Sequence, residues 1–192
     1  MSTAELVYTP EDLLNLSDCD GYELVSGKLV ERKTGYESAW VAGELFCLLR
    51  NYCGQRNLGD VAPAEAGFRC YSDDPNRVRK PDLSFIRAGR FPGGRLPRGY
   101  VMLVPDLVVE VVSPRDVFEE LSEKVAEYLT AGVRLVWVID SIARKVFVYH
   151  PDGRGVILSD RDSLDGEEVI PGFSVQIADL FRRLDAASPD EA

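Results

Sequence analysis

The segment from Leu107 to Val112, with the sequence LVVEVV, is apolar at every position except Glu110. A near-continuous apolar run of this length predicts a strand that is covered on both faces, as in sheets flanked by helices. A carboxylate inside such a strand must be stabilised by a metal ion, another cation or hydrogen bonds, because burying an unpaired charge is costly. Glu110 is therefore the first candidate for a functional residue.

Two more charged residues lie on elements that neighbour this strand. Asp82 begins a second predicted strand in the sequence KPDLSFI, and Lys124 lies on a predicted helix that follows the Glu110 strand. Asp106 is interpreted as a strand-entry residue, because four residues of strand rise would separate it from Glu110 by about 13 Å, too far for both to bind one metal ion. Two acids and one lysine on adjacent elements indicate a hydrolase that uses a divalent metal.

The predicted helix places Lys124 at the border of its apolar face. At about 100° per residue, the apolar side chains fall in an arc of about 120°, and Lys124 lies about 20° outside it. A lysine side chain can run along such a surface and bring its ammonium group toward the sheet. The alternative is a surface lysine that pairs with Glu120 one turn earlier. The arc consists of Val117, Phe118, Leu121, Val125, Tyr128 and Leu129.

Length and composition favour one domain and disfavour several function classes. We expect a single domain over residues 1–184 and a disordered tail over the polar residues 185–192. The four cysteines form no CxxC pair, which favours buried reduced thiols in a cytoplasmic protein over a zinc site. His150 is the single histidine, which disfavours a Ser-His-Asp hydrolase. No apolar segment approaches the roughly 20 residues that span a bilayer, so we expect no membrane association.

Charge is distributed unevenly along the chain. The net charge of −10 argues against nonspecific coating of nucleic acid, because like charges repel over roughly a Debye length, about 8 Å at physiological salt. Asp82 is nevertheless the single acid among seven cations between residues 77 and 98. Either this basic segment faces phosphates, or its cations pair with acids of this chain or of a second subunit. The cations are Arg77, Arg79, Lys80, Arg87, Arg90, Arg95 and Arg98.

The predicted elements are those of a mixed α/β sandwich. Ser26 and Gly27 form the turn of an N-terminal hairpin, and Ser113 followed by Pro114 indicates the start of the second long helix. The order helix, three strands, helix, strand requires a parallel crossover pair. The long loop at residues 88–102 is either a substrate loop or a mobile or dimer-contacting insertion. The predicted ranges are a helix at 38–52 that Gly54 ends, strands at 66–71, 82–86 and 106–112, a helix ending at 131, strands at 134–140 and 144–150, and weaker strand signals at 156–173.

Five blocks of the chain together form a specific pattern. They are YELVSG at 22–27, RKPDL at 79–83, PDLVVEVVSP at 105–114, KVAEY at 124–128, and AGV at 131–133 followed by WVID at 137–140. In this order they resemble the Uma family of bacterial restriction-endonuclease-like proteins, which belongs to the PD-(D/E)xK nuclease superfamily. The similarity extends over roughly residues 10–181.

The resemblance implies an α/β fold with an αβββαβ core and a mixed central sheet, plus an added N-terminal hairpin and C-terminal strands. Asp82 corresponds to the aspartate of the PD motif and Glu110 to the second acid. The usual lysine stands two residues after that acid, where this chain has Val112, so Lys124 resembles the migrated replacement of this family.

Auxiliary positions follow the family pattern less closely. Many relatives have a histidine near the start of the first helix, where this chain has Ser38. Glu23 and Glu44 are candidates for auxiliary roles, and the alternative for both is an ordinary solvated acid.

The resemblance further implies hydrolysis of DNA phosphodiester bonds with Mg²⁺ or Mn²⁺, held by Asp82, Glu110 and the backbone carbonyl of Val111. Lys124 would orient the attacking water or neutralise developing charge. A homodimer is expected, since cutting two strands often uses two sites. Four basic residues are expected to position the DNA backbone, namely Arg79, Lys80, Arg90 and Arg95.

Two other functions are open. A noncatalytic binding or assembly module would keep the nuclease-like core, and the acidic net charge and the lack of a separate DNA-recognition domain favour it. A metal-dependent hydrolase of small phosphorylated molecules would use the same carboxylates but explains the arginine-bearing loop less well.

Overall fold

A six-stranded mixed sheet forms the centre of the computed structural model, which describes residues 6–33 and 35–184. Within this part of the chain, four α-helices and two small antiparallel sheets surround it. In chain order the elements are α1 Pro10–Leu14, β1 Tyr22–Val25, β2 Lys28–Glu31, α2 Tyr36–Arg56, β3 Gly59–Pro63, β4 Leu83–Arg87, β5 Leu107–Val111, α3 Phe118–Ala131, β6 Leu135–Asp140, β7 Lys145–Tyr149, β8 Gly155–Ser159, β9 Ser163–Asp165, β10 Ser174–Gln176 and α4 Ile177–Phe181.

The strands of the central sheet lie side by side in chain order from β3 to β8. Among them β5 and β6 form the one parallel pair, with Leu107 opposite Leu135 and Val111 opposite Ile139. A parallel pair needs a connection that crosses the face of the sheet, and α3 makes that crossing. The order α2, β3, β4, β5, α3, β6 confirms the predicted αβββαβ core, with the hairpin before it and further strands after it.

Different helices cover the two faces of this sheet. On β5, Val109 belongs to a buried cluster with Leu45 of α2, whereas Val108 belongs to a second cluster with Val125 of α3. Because side chains alternate along a strand, Glu110 points to the same face as Val108. The strand is therefore buried on both faces, as its apolar sequence predicts.

The N-terminal hairpin of β1 and β2 is also confirmed. Its turn residues Ser26 and Gly27 have φ angles of 49° and 78°, in the left-handed region that glycine adopts without steric cost. Two backbone hydrogen bonds between Leu24 and Val78, of 2.9 and 2.7 Å, attach the hairpin to the segment before β4. The neighbouring residue Glu23 is thereby brought close to the start of β4.

The first strand of the core lies elsewhere than the sequence predicts. The prediction of a strand at residues 66–71 is wrong, because Phe68 forms only isolated bridges, with Arg79 and Val101. Instead, Gly59–Pro63 forms β3 at the edge of the sheet and pairs antiparallel with β4. Val61 is the one buried residue of this strand, so the strand has no apolar alternation to reveal it.

Two predicted helix boundaries are wrong. The first long helix continues through Gly54 and ends two residues later, where Asn57 adopts the left-handed conformation with a φ of 54°. Ser113 does not cap the next helix. Its backbone N–H donates to the side chain of Asp116 at 2.7 Å, and this closed turn delays the start of α3 to Phe118.

Three minor predictions have mixed outcomes. The four cysteines are free thiols, but only Cys53 is buried and Cys47 is exposed, so the expectation of buried thiols is wrong for Cys47. No helix within the described residues is both long and apolar enough to cross a membrane. The predicted tail at residues 185–192 lies outside the described part of the chain.

Candidate active site

Asp82 and Glu110 are neighbours across the β4–β5 pair. The antiparallel register places Leu83 opposite Val109, and continuing it by one residue places Asp82 opposite Glu110. Residues directly opposite in an antiparallel pair point to the same face, with Cβ atoms about 4.5–5.5 Å apart. The sequence could not fix this register, and the structure brings the two acids together.

Each of these carboxylates is oriented by a hydrogen bond from the protein. The backbone N–H of Val111 donates to Asp82 Oδ2 at 2.8 Å, and the Tyr128 hydroxyl donates to Glu110 Oε1 at 2.6 Å. The other oxygen of Asp82 lies 3.4 Å from a guanidinium nitrogen of Arg32. Each acid therefore has one oxygen fixed by a short hydrogen bond and a second with a longer contact of 3.4 Å to a cation, Arg32 for Asp82 and Lys124 for Glu110.

The ammonium group of Lys124 lies between two anions. Its Nζ is 3.4 Å from Glu110 Oε2 and 3.2 Å from Glu23 Oε2, with 21% of the side chain exposed. The alternative partner, Glu120, instead pairs with Lys33 of the segment after β2. The lysine thus reaches over the sheet from α3 to the carboxylate pair.

Glu23 comes from the hairpin and is almost completely buried, with 1% of the residue exposed. Its Oε1 accepts a hydrogen bond of 2.8 Å from the backbone N–H of Lys80, and its Oε2 accepts one of 3.0 Å from Arg79. Arg79 also pairs with Glu127 of α3, at 2.7 Å. Of the two auxiliary candidates, the structure brings Glu23 into direct contact with Lys124.

Electrostatics distinguish the three acids. Burial raises the pKa of Glu110 to about 7; Lys124 opposes this rise, and Asp82 and Glu23 add to it. Burial likewise raises the pKa of Asp82. Burial alone would raise the pKa of Glu23, but Lys124 and Arg79 outweigh it and lower that pKa. Glu23 is therefore a compensated anion, whereas the negative charge of Asp82 and Glu110 is only partly compensated.

The three side chains line a cleft of about 230 Å³ between the hairpin, the sheet and α3. Arg32 and Lys33 line it as well, and neither is among the site residues predicted from the sequence. Their position depends on how the hairpin packs against the core, and no local pattern reveals that packing. Seven acids and five cations line the cleft in total: Glu23, Glu31, Asp82, Glu110, Asp116, Glu120 and Glu123, and Arg32, Lys33, Arg79, Lys80 and Lys124.

Four of the seven cations between residues 77 and 98 form ion pairs with other residues in the described part of this chain, which agrees with the second interpretation of the basic segment. Arg90 pairs with Asp106. Because Asp106 lies four residues before Glu110, this ion pair is about 13 Å from Glu110. Arg95 is exposed. The pairs and their shortest distances are Arg77–Asp73 at 2.9 Å, Arg79–Glu127 at 2.7 Å, Lys80–Asp20 at 3.9 Å and Arg90–Asp106 at 2.6 Å.

Two further candidates lie away from the carboxylate pair. Glu44 is exposed on α2 and does not line the cleft. Ser38 is buried near the start of α2, where its hydroxyl donates to the carbonyl of Gly35 at 3.0 Å. Tyr128, by contrast, contacts Glu110 directly, and its place on the apolar arc of α3 could have indicated that contact.

The carboxylate pair fits a small donor set for a divalent cation. Within residues 6–33 and 35–184, no group of three or more His, Cys, Asp and Glu side chains is arranged to hold a metal ion. The donor set implied by the sequence needs only two carboxylates and the carbonyl of Val111, completed by water. The hydrogen bonds to Asp82 and Glu110 orient these groups in the way that outer-shell partners orient metal ligands.

Comparison with known proteins supports this interpretation of the fold. The sequence model of the Uma2 family, described as "Putative restriction endonuclease", matches residues 10–178. The chain belongs to the Uma2 family. No protein of curated function matches it.

A solved structure has the same fold. A "putative nuclease belonging to DUF820" from Anabaena variabilis is 18% identical, with a TM-score of 0.78. The alignment covers 92% of this chain and 98% of the other. Family and fold are thus both those of restriction-endonuclease-like proteins.

Proposed function

We propose that this Uma2 protein is a metal-dependent nuclease of the PD-(D/E)xK type that hydrolyses phosphodiester bonds of DNA. The observation that carries the proposal is the convergence on one cleft of Asp82, just before β4, Glu110 of β5 and Lys124 of α3. Functional sites of this kind combine oriented carboxylates with a cationic group that can stabilise developing negative charge.

The roles follow from the contacts of each residue. Asp82, Glu110 and the carbonyl of Val111 would hold Mg²⁺ or Mn²⁺. When bound, such an ion supplies Lewis acidity toward a phosphate and makes a water molecule easier to deprotonate. The ammonium of Lys124, beside Glu110, would orient the attacking water by hydrogen bonding and neutralise charge that develops on the phosphate.

Cations in and around the cleft would guide the DNA backbone. Arg32 and Lys33 line the cleft, and Arg95 is exposed on the loop after β4. Arg79 and Lys80 are buried in ion pairs, so we assign them to holding the site together rather than to phosphate contact. A homodimer with two such clefts would cut both strands of a duplex.

A noncatalytic binding module is the second candidate, and the charge of the cleft favours it. Seven acidic and five basic residues line the cleft, an arrangement that repels a polyanion until cations are bound. Calorimetry with Mn²⁺ separates the two functions. A folded chain that takes up no Mn²⁺ at millimolar concentration supports the binding module, whereas uptake that requires Glu110 supports the nuclease.

Plasmid nicking in the presence of Mn²⁺ tests the proposal directly. We expect Glu110→Ala and Lys124→Ala to lower the nicking rate by at least about 100-fold, since each removes a group that acts on the reacting centre. Glu119→Ala is the matched control, because Glu119 is exposed on the helix of Lys124 and does not line the cleft. Circular dichroism must show that all variants remain folded. Undiminished nicking by both site variants would refute the assignment.

The same variants identify the substrate. Rates on duplex DNA are compared with rates on a small phosphodiester under identical metal conditions. A nuclease prefers the duplex, and a loss of both activities in Glu110→Ala would show that one site performs them. Faster hydrolysis of the small ester would favour a hydrolase of small phosphorylated molecules.

A further inference from the structure

The carboxylate pair of Asp82 and Glu110 does not by itself explain how the Lys124 ammonium keeps its position when a cation is bound. The ammonium lies 3.4 Å from Glu110, which is itself a proposed metal ligand. A divalent cation held by Glu110 would repel the ammonium, because two positive charges beside the same carboxylate interact strongly in a poorly hydrated site. The flexible side chain could then turn outward to Glu120, one helical turn earlier. Another anion is needed to keep Lys124 in place.

Glu23 has the contacts of such an anion. Both of its oxygens are engaged by donors of the protein: Oε1 by the N–H of Lys80, and Oε2 by Arg79 and by the ammonium of Lys124 at 3.2 Å. Asp82 and Glu110 differ, because only one oxygen of each accepts a short hydrogen bond, and the other has one longer contact of 3.4 Å, with Arg32 or with Lys124. The surroundings of Glu23 therefore suit a fixed counter-ion better than a metal ligand.

A second layer of contacts holds Glu23 itself. Arg79 donates to Glu23 through one nitrogen and to Glu127 of α3 through another, at 3.0 and 2.7 Å. The backbone hydrogen bonds between Leu24, next to Glu23, and Val78, next to Arg79, hold these two segments together. The carboxylate is thus linked to the segment before β4 and to the helix that carries Lys124.

We propose that Glu23 is the positioning residue for Lys124, the anion that keeps the ammonium beside Glu110 when a cation occupies the carboxylate pair. In this role the N-terminal hairpin supplies part of the active site. Arg79 and Glu127 support it by fixing the Glu23 carboxylate. The role of Lys124 in hydrolysis rests on the proposed function, but the position of its ammonium does not.

Lysine NMR tests this position without any measurement of activity. The chain has five lysines, so the resonances of their ammonium groups are few, and comparison with Lys124→Arg assigns the one of interest. The spectrum of wild type is recorded with and without Mg²⁺, and compared with Glu23→Gln and with the charge-matched control Glu119→Gln. We expect Glu23→Gln to shift the Lys124 resonance and speed its exchange with water, most strongly with Mg²⁺, whereas Glu119→Gln leaves it unchanged.

Kinetics supply the second readout. In Glu23→Gln we expect kcat for nicking to fall on the order of 100-fold, the effect of displacing a group at the reacting centre, with a much smaller change in the Mn²⁺ dissociation constant. A loss of Mn²⁺ affinity as large as the loss of kcat would overturn the proposal and make Glu23 a ligand. A Lys124 resonance that is the same in Glu23→Gln and wild type would also overturn it.

A milder variant covers the case in which Glu23→Gln does not fold. Glu127 is half-buried and is connected to Glu23 through Arg79, besides its pairing with Arg77 at 3.6 Å, so Glu127→Gln should alter the Lys124 resonance in the same direction by less. An unchanged resonance in this folded variant would count against the proposal. If wild type shows the expected NMR behaviour but nicks no DNA, the positioning role stands and the nuclease function fails.

Discussion

Replacing Glu110 by glutamine should stabilise the metal-free protein at alkaline pH while removing one ligand of the proposed metal site. Glutamine keeps the volume of the buried side chain and can still accept the hydrogen bond from Tyr128. It removes a negative charge from a side chain of which only 9% is exposed. The ionised carboxylate is costly here because burial disfavours charge more strongly than Lys124 favours it.

The magnitude follows from the pKa of this carboxyl. Burial raises the pKa of Glu110 from its ordinary value of 4.5 to about 7. Each step of one in pKa corresponds to about 1.4 kcal/mol, so the free energy of unfolding of wild type should fall about 3 kcal/mol below that of Glu110→Gln. This contribution decreases as the pH rises, because the pKa of Glu110 is higher in the folded than in the unfolded protein. The stabilisation by protonated Glu110 is fully present below pH 4.5 and is lost as the pH rises through 7.

Urea unfolding with a metal chelator present measures this difference. The chain has two tryptophans, and Trp137 is fully buried, so fluorescence reports the transition. Near pH 4 the two proteins should unfold at the same urea concentration, and at pH 8.5 the variant should unfold later. Groups that titrate equally in both proteins cancel in the comparison. A variant that is less stable at pH 8.5, or a difference independent of pH, would refute the reasoning.

Two further substitutions probe the partners of the acids. Tyr128→Phe should weaken Mn²⁺ binding on the order of 10-fold in calorimetry, because the hydroxyl that orients Glu110 is lost; unchanged affinity would show that Glu110 needs no such support. If the Arg32 guanidinium exchanges its contact with Asp82 for a contact with a DNA phosphate, Arg32→Ala should weaken duplex binding. The magnitude of the slope of log affinity against log salt concentration should then fall by about one, and an unchanged slope would exclude the phosphate contact.

Local sequence patterns predicted the elements that carry their own periodicity. The apolar run around Glu110 identified β5, and the 3.6-residue spacing of apolar side chains identified α3 and the inward direction of Lys124. The edge strand β3 was missed because it buries only Val61. Residues 66–71 were wrongly predicted as a strand because Phe68 forms only isolated bridges. The prediction that α3 starts at Ser113 was wrong because the Asp116 side chain accepts a hydrogen bond from the Ser113 backbone N–H, which forms a turn before the helix.

The contacts of the site depend on pairing between distant segments, which a local pattern does not encode. Asp82 and Glu110 could be named as charged residues on strands, but only the register of β4 against β5 makes them neighbours. Arg32 and Glu23 reach the cleft because the hairpin packs against the segment before β4. A count of cations could not show that Arg90 is paired with Asp106, since ion pairing is a tertiary property.

The parallel pairing of β5 with β6 has a consequence for how such sites can change in evolution. The crossover between these strands covers the face of the sheet to which Glu110 points, as the packing of Val125 on Val108 shows. A lysine that serves the proposed site can therefore be supplied by the crossover helix instead of by the strand, through a single point mutation. Neither chain length nor topology has to alter for the ammonium group to change its point of attachment.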